Sequence, residues 1–468
     1  MDPIAATVIA FVVLLAFLAC RVPVAIGLLA SGALGLFLLR GFSFAEGTLG
    51  RLPYQTPSRY VLVVIPLFIA MGVFAKHGSL AEDAFAAAKP LLRKVPGGLG
   101  IATIASCAGF GAISGSSVAT VASVGPIAVR EMKSEGYQTS FAAGIVGAAG
   151  TLGVMIPPSI ALVLYGIITG ESIGLLLIAG IVPGLVTAAF YSVAIVGRVL
   201  VNPSVGGRTH RRGRSGAVTE HDSSPADVRA SSGSGSTAVA VVPRLGLAQL
   251  LSLSRIVVLF LVVMGGIYLG VMTTSEAAAV GASLALLFLL YDAWRERPGI
   301  WRTVSSAFGE AISLTSMVFA LLIGSAIFTL FIVTAGIPAT FTTWATGLTL
   351  PAWLVVAVLL LAFVPLGMFL DPISMLLIGV PLTYPVVMAL GYDGIWYGIL
   401  IVKMVELALI TPPVGLNPYV VAGSCEGVTV SQAFRGASWF FALELATIAM
   451  FFAFPGLVTW LPELVGSR

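Results

Sequence analysis

The chain has 468 residues, of which 58% are hydrophobic and only 9% charged, with a mean hydropathy of +1.06 and a formal net charge of +4. A soluble domain carries about 25% charged residues, so composition excludes one. Apolar runs such as IVVLFLVVMGGIYLGVM (256–272) lack the alternation of a membrane β-barrel. The expected class is an all-α polytopic membrane protein.

In chain order, apolar segments fall near 4–20, 22–39, 60–76, 98–130, 141–169, 173–198, 255–272, 276–292, 309–334, 351–389, 395–422 and 437–462. The first lacks a basic leader region, and the apolar pattern resumes directly after Arg21, so it reads as a transmembrane helix rather than a signal peptide. Segments 98–130 and 351–389 are too long for one crossing. Each is split by a Gly- or Pro-containing patch, GFGAISGSS (109–117) and PLGMFLDP (365–372). Arms of about 14 residues are short for a full span, which predicts two re-entrant hairpins. Residues 199–247, rich in Ser, Gly and Arg, predict a disordered cytoplasmic linker between a first half (1–198) and a second (248–468). With 77–97, 130–140 and 199–247 in the cytoplasm, 19 of the 24 Lys and Arg lie on that side, which places both termini outside. Cys20, Cys107 and Cys425 are odd in number and far apart, so no disulfide framework is implied. His77, His210 and His221 all fall in polar stretches, which argues against a His-based metal site in the membrane.

The two halves repeat. An offset of 255 carries Pro157-Pro158 to Pro412-Pro413, Gly136-Tyr137 to Gly391-Tyr392, Pro126 to Pro381 and Ser116 to Asp371. Each half reads as a hairpin, a Gly-Tyr turn and a helix broken by paired prolines, since proline removes a backbone donor and clashes with the preceding turn. By the helix count the second half runs inverted in the membrane. Inverted repeats with paired discontinuous helices mark secondary transporters with sites near the midplane. No GxxxxGK[ST] phosphate loop suggests ATP hydrolysis.

A broken helix frees carbonyl oxygens for a cation and half-helix N–H groups for an anion. At the first tip Ser114, Ser116 and Ser117 add oxygens, facing GTLGVMIPPS (150–159). A second site would join FLDP (369–372) to ELALITPP (406–413). Asp371, an acid at membrane depth, is functional by default, although Asp-Pro also caps the following helix. Lys403 and Glu406, three apart, share a helix face and are read as neutralising each other. A hydrolase using Ser116 or Ser117 is rejected, because no GxSxG surrounds them and no intramembrane His is available as base.

GAISGSSVATVASVGPIAVREMKSEGY (111–137), GTLGVMIPPSIALVLYGIITGESIG (150–174), GMFLDPISMLLIGVPLTYPV (367–386) and ELALITPPVGLNPYVVAG (406–423) resemble the large membrane subunit of tripartite ATP-independent periplasmic (TRAP) transporters. The resemblance covers nearly the whole chain except 199–247. It implies an elevator fold and Na⁺-coupled import of an organic acid: a C4-dicarboxylate, a sialic or sugar acid, or a keto acid. It implies two protein partners in a bacterial inner membrane, a periplasmic substrate-binding protein and a small four-helix subunit, here expected as a separate chain. No covalent cofactor and no nucleic-acid partner are expected. By the same resemblance one Na⁺ site maps to Ser114, Gly115 and Ser116 with Gly153, Ile156 and Pro157. The other maps to Phe369 and Asp371 with Thr411 and Pro412. The substrate maps near Ser116, Ser117, Ser159, Asp371 and Asn417. The long insert at 199–247 and the charge at Lys403 depart from the family pattern. The alternative is a dicarboxylate or citrate carrier of similar architecture that needs no binding protein.

Overall fold

The computed structural model describes residues 2–92, 94–207, 247–296, 299–413 and 415–466. Among them the chain is helical throughout, with one isolated bridge, Tyr137 to Gly206. The first half contains α1 (Pro3–Ala19), α2 (Val24–Arg40), α3 (Phe42–Gln55), α4 (Val64–His77), α5 (Leu80–Leu92), α6 (Gly98–Ser114), α7 (Ser117–Ser134), α8 (Thr139–Met155), α9 (Ile160–Thr169) and α10 (Ile173–Val201). The second contains α11 (Leu247–Tyr268), α12 (Thr274–Glu296), α13 (Ile300–Thr334), α14 (Ile337–Thr346), α15 (Ala352–Leu361), α16 (Phe363–Gly367), α17 (Pro372–Ala389), α18 (Gly394–Ile410), α19 (Leu416–Ser424), α20 (Val430–Ala453) and α21 (Gly456–Gly466). Six helices are individually long and apolar enough to cross a membrane, and the α8–α9 pair, bent by 41°, makes a seventh.

The repeat holds at the level of elements. α7 and α17 have 18 residues each and start 255 residues apart, and α8 and α18 have 17 each at the same offset. Gly136 and Gly391 take matching left-handed turns, with φ of 84° and 82°. The paired prolines end α8 and α18, and both Pro-Pro peptide bonds are cis.

A helix that is apolar all round is stable only when enclosed. α8 is buried at every position from Phe141 to Met155, and α18 at nearly every position from Gly394 to Ile410. These two form the centre of a bundle with α6, α7, α9, α10, α17, α19 and α20. Close approach there depends on small residues. A Cβ added to Gly144 on α8 would stand 2.2 Å from the Gly436 carbonyl carbon on α20. A second bundle comprises α1, α2, α4, α11, α12 and α13. α5 packs along α6 and α14 along α17, so each half lays one short helix against its own hairpin.

Two expectations change. The arms of the first hairpin are 17 and 18 residues long, not about 14, and Pro372–Ala389 alone is long enough to span. The first patch is helical except at Gly115 and Ser116, so the sequence reading overstated that break, whereas residues 368–371 of the second are non-helical. The polar segment also starts ordered. α10 runs to Val201, and Gln138 N donates to Val205 O at 3.2 Å. Residues 208–246, most of the expected linker, lie outside the described residues.

Candidate functional site

Gly115 makes the first tip. It adopts a left-handed conformation (φ 61°, ψ 14°) that ends α6, and Ser116 then caps α7 by accepting from Ala119 N at 3.4 Å. The two-residue link packs on the break in α8. A Cβ on Gly115 would lie 2.7 Å from Pro158 O, and one on Gly153 would lie 2.6 Å from Thr120 Oγ1 and 3.0 Å from Ser116 O. The structure therefore brings Ser114, Gly115, Ser116, Gly153 and the Ile156–Pro158 break together. It adds Thr120, which no sequence pattern singled out. Thr120 Oγ1 donates to Ser116 O at 2.8 Å and lies 3.0 Å from Ser114 Oγ. Hydroxyl and carbonyl oxygens thus converge where Gly115 and Gly153 leave no side chain in the way.

The second tip is built differently. Asp371 caps α17, accepting from Ile373 N at 3.1 Å and Ser374 N at 3.2 Å, with Ser374 Oγ donating to its other oxygen. Ser116 and Asp371, equivalent by the 255 offset, are thus both helix N-caps. α16 meets α18 at Gly367, whose Cβ would collide with Ala408. Thr411 is buried and donates its hydroxyl to Leu407 O at 2.6 Å. The Phe369 side chain is 72% exposed, so only its backbone can serve the tip. Pro157 and Pro158 are buried, whereas Pro412 and Pro413 are exposed.

The two tips share a cavity of about 310 Å³ lined by Ser114–Ala119 on one side and Asp371–Ile373 on the other. The start of α9 and Leu416 of α19 add to that wall, and α4 and α13 form the opposite wall. Ser116, Ser117 and Asp371 line it. Ser159 and Asn417 do not line it. Ser159 is fully buried and caps α9, with Leu162 N donating to it at 3.2 Å. Asn417 is also fully buried, and its amide donates to Gly147 O at 2.9 Å, tying α19 to α8. Three charged residues line the cavity: Asp371, Lys76 and Glu310.

Lys403 and Glu406 pair at 2.6 Å. Both are fully buried, and a third member was not legible beside them: Glu444 on α20 meets the same ammonium at 2.5 Å. Thr187 accepts from Lys403 at 3.1 Å, and Tyr191 donates to Glu444 at 2.8 Å. This cluster joins α10, α18 and α20 and stands apart from the cavity.

Residues 11–457 match the family model described as "Tripartite ATP-independent periplasmic transporter, DctM component". The chain belongs to this family. A TRAP transporter large permease is a transport protein rather than an enzyme, and this one is a multi-pass membrane protein. The chain is 33% identical to the C4-dicarboxylate TRAP transporter large permease protein of Pseudomonas aeruginosa, over 88% of each chain. It is 32% identical to the isethionate TRAP transporter permease protein of Oleidesulfovibrio alaskensis, over 87% of this chain and 59% of that one. Its fold is similar to that of the Alcanivorax borkumensis YdaH transporter, with a TM-score of 0.59, 13% identity and 90% of each chain covered.

Proposed function

We propose that this TRAP large permease is a Na⁺-coupled symporter that imports an organic-acid anion delivered by a periplasmic binding protein. The observation that carries the reading is the charge of the cavity. Lys76 contributes one positive charge, and Glu310 and Asp371 one negative charge each, so the lining is formally anionic. An anion enters such a space favourably only with compensating cations. The oxygens of Ser114, Ser116 and Thr120 beside the α8 break, and the carboxylate of Asp371 at the second tip, are the places for them. Substrate carboxylates then sit between the tips, at Ser116 and Ser117. The relatives named for C4-dicarboxylate and isethionate support a small organic anion as cargo.

The central bundle with its two tips acts as the moving body of an elevator, and the α1–α4 and α11–α13 bundle as its frame. The first tip is enclosed in protein, Ser114 and Ser117 being 3% and 2% exposed. That suits re-entrant hairpins, whose irregular backbone at membrane depth must be shielded from lipid. The small membrane subunit is a separate chain, and both termini face the periplasm of a bacterial inner membrane.

The test is uptake into proteoliposomes holding the permease and its small subunit. Uptake requires an inward Na⁺ gradient and added binding protein. Full uptake in Na⁺-free medium would remove the coupling, and full uptake without the binding protein would leave a self-sufficient carrier.

A further inference from the structure

Two of the three charges on the cavity wall belong to neither tip. Lys76 ends α4, and Glu310 lies in α13. Lys76 Nζ donates to Glu310 Oε1 at 2.7 Å, and His77 Nε2 meets Glu310 Oε2 at 2.9 Å. The Lys76 and Glu310 side chains are each 33% exposed, so water or a solute reaches the pair from the cavity. The rest of that wall is apolar, formed by Ile69, Val73, Leu314, Met317 and Val318.

The geometry suits an exchange of partners. An ammonium has three donors, and Glu310 takes one of them. The four-carbon stem lets the charge swing without moving the helix. Glu310 is not orphaned when Lys76 leaves, because His77 stays on its second oxygen. A buried or half-buried carboxylate stripped of all partners would resist such a step. α4 runs directly into the basic stretch 76–94, and in the orientation proposed above this end of the cavity faces the cytoplasm.

We propose that Lys76 is a specificity-determining residue on the release path. It leaves Glu310, takes the carboxylate of the departing substrate, and returns to Glu310 when the substrate has gone. The inference rests on the organic-anion reading above. A role limited to tying α4 to α13 is the competing account.

The two accounts differ in sign. The permease and its small subunit are placed in uniformly oriented vesicles loaded on the cytoplasmic side with succinate, N-acetylneuraminate or pyruvate in turn. Counterflow gives the half-saturation for that side. Lys76→Gln is expected to raise it about five- to tenfold, the scale of one half-exposed charge-assisted contact. Glu310→Gln frees Lys76 and is expected to lower it by a similar factor, with slower turnover. Shifts of both variants in the same direction, or none in either, overturn the inference. Thermal stabilisation of the detergent-solubilised Glu310→Gln complex by the same acids is a second reading. It should exceed that of the wild type, and an equal or smaller effect overturns the inference even where a variant transports poorly. A wild type that carries none of the three acids refutes the organic-anion reading and the inference together. Wild-type counterflow with unshifted variants refutes the inference alone.

Discussion

Asp371 caps α17, the proposed function gives it a cation to hold as well, and its repeat partner shows how to separate the two tasks. Ser116 caps α7 with a neutral oxygen, where Asp371 caps α17 with a charged one. Asp371→Ser should keep the cap and lose the charge, whereas Asp371→Ala loses both, at about 1 kcal/mol for the cap. We expect Asp371→Ser to melt close to the wild type yet lose Na⁺ activation of uptake. Retained Na⁺ activation would assign Asp371 to capping alone. Lys403 makes the opposite point. Lys403→Met leaves Glu406 and Glu444 fully buried without their common cation and should destabilise the permease by about 3–5 kcal/mol. Replacing all three with Met, Gln and Gln should recover much of that loss in a thermal-unfolding assay. The Lys403–Glu406 pair was legible because three residues on a helix bring side chains together. Glu444, Thr120 and the Lys76–Glu310 contact were not, because their partners are set by packing between helices. Asn417 and Ser159 were mapped to the substrate by family resemblance; the Ser159 hydroxyl starts α9 and the Asn417 amide nitrogen joins α19 to α8.

At the level of elements, the hairpins and broken helices were readable because proline and glycine act locally. The offset between Pro157-Pro158 and Pro412-Pro413 located four helices of matching length in the two halves. The arms were read as too short, because a serine-rich tip looks like a loop while α7 in fact starts at Ser117 itself. What no local pattern gives is the fit between elements. Gly153 is an ordinary helical glycine in the sequence, yet its Cβ would press on Thr120 and Ser116. Alanine is the better helix former by about 1 kcal/mol, so Gly153→Ala should fold. Overpacking here is expected to displace the tip oxygens and raise the Na⁺ concentration needed for half-maximal uptake. An unchanged Na⁺ titration would show that the first tip holds no cation.

Across the whole molecule, the two bundles touch where Gly72 of α4 faces Ser114. A Cβ on Gly72 would come within 2.8 Å of the Ser114 backbone. If the central bundle travels past the frame, that contact must slide. Gly72→Val should slow transport far more than it weakens substrate binding. Equal losses in both would place Gly72 in the binding surface rather than on the path. Membrane class and the division into halves followed from composition and repeat alone. The packing of the frame did not, because its helices expose apolar side chains evenly and carry no signal of which neighbour they meet.

The matched lengths of α8 and α18 have a consequence of their own. Each helix begins after a Gly-Tyr turn and runs for 17 residues, with one residue between its end and the first proline. At 3.6 residues per turn, one added residue would swing everything beyond it by about 100°. Pro157 would then turn away from the tip at Gly115 toward another of the helices that enclose α8. What the two copies hold in common is therefore an angle as much as a set of residues. Helix length acts here as an aiming device, and a single inserted alanine in α8 could disable the site while leaving every side chain of it in place.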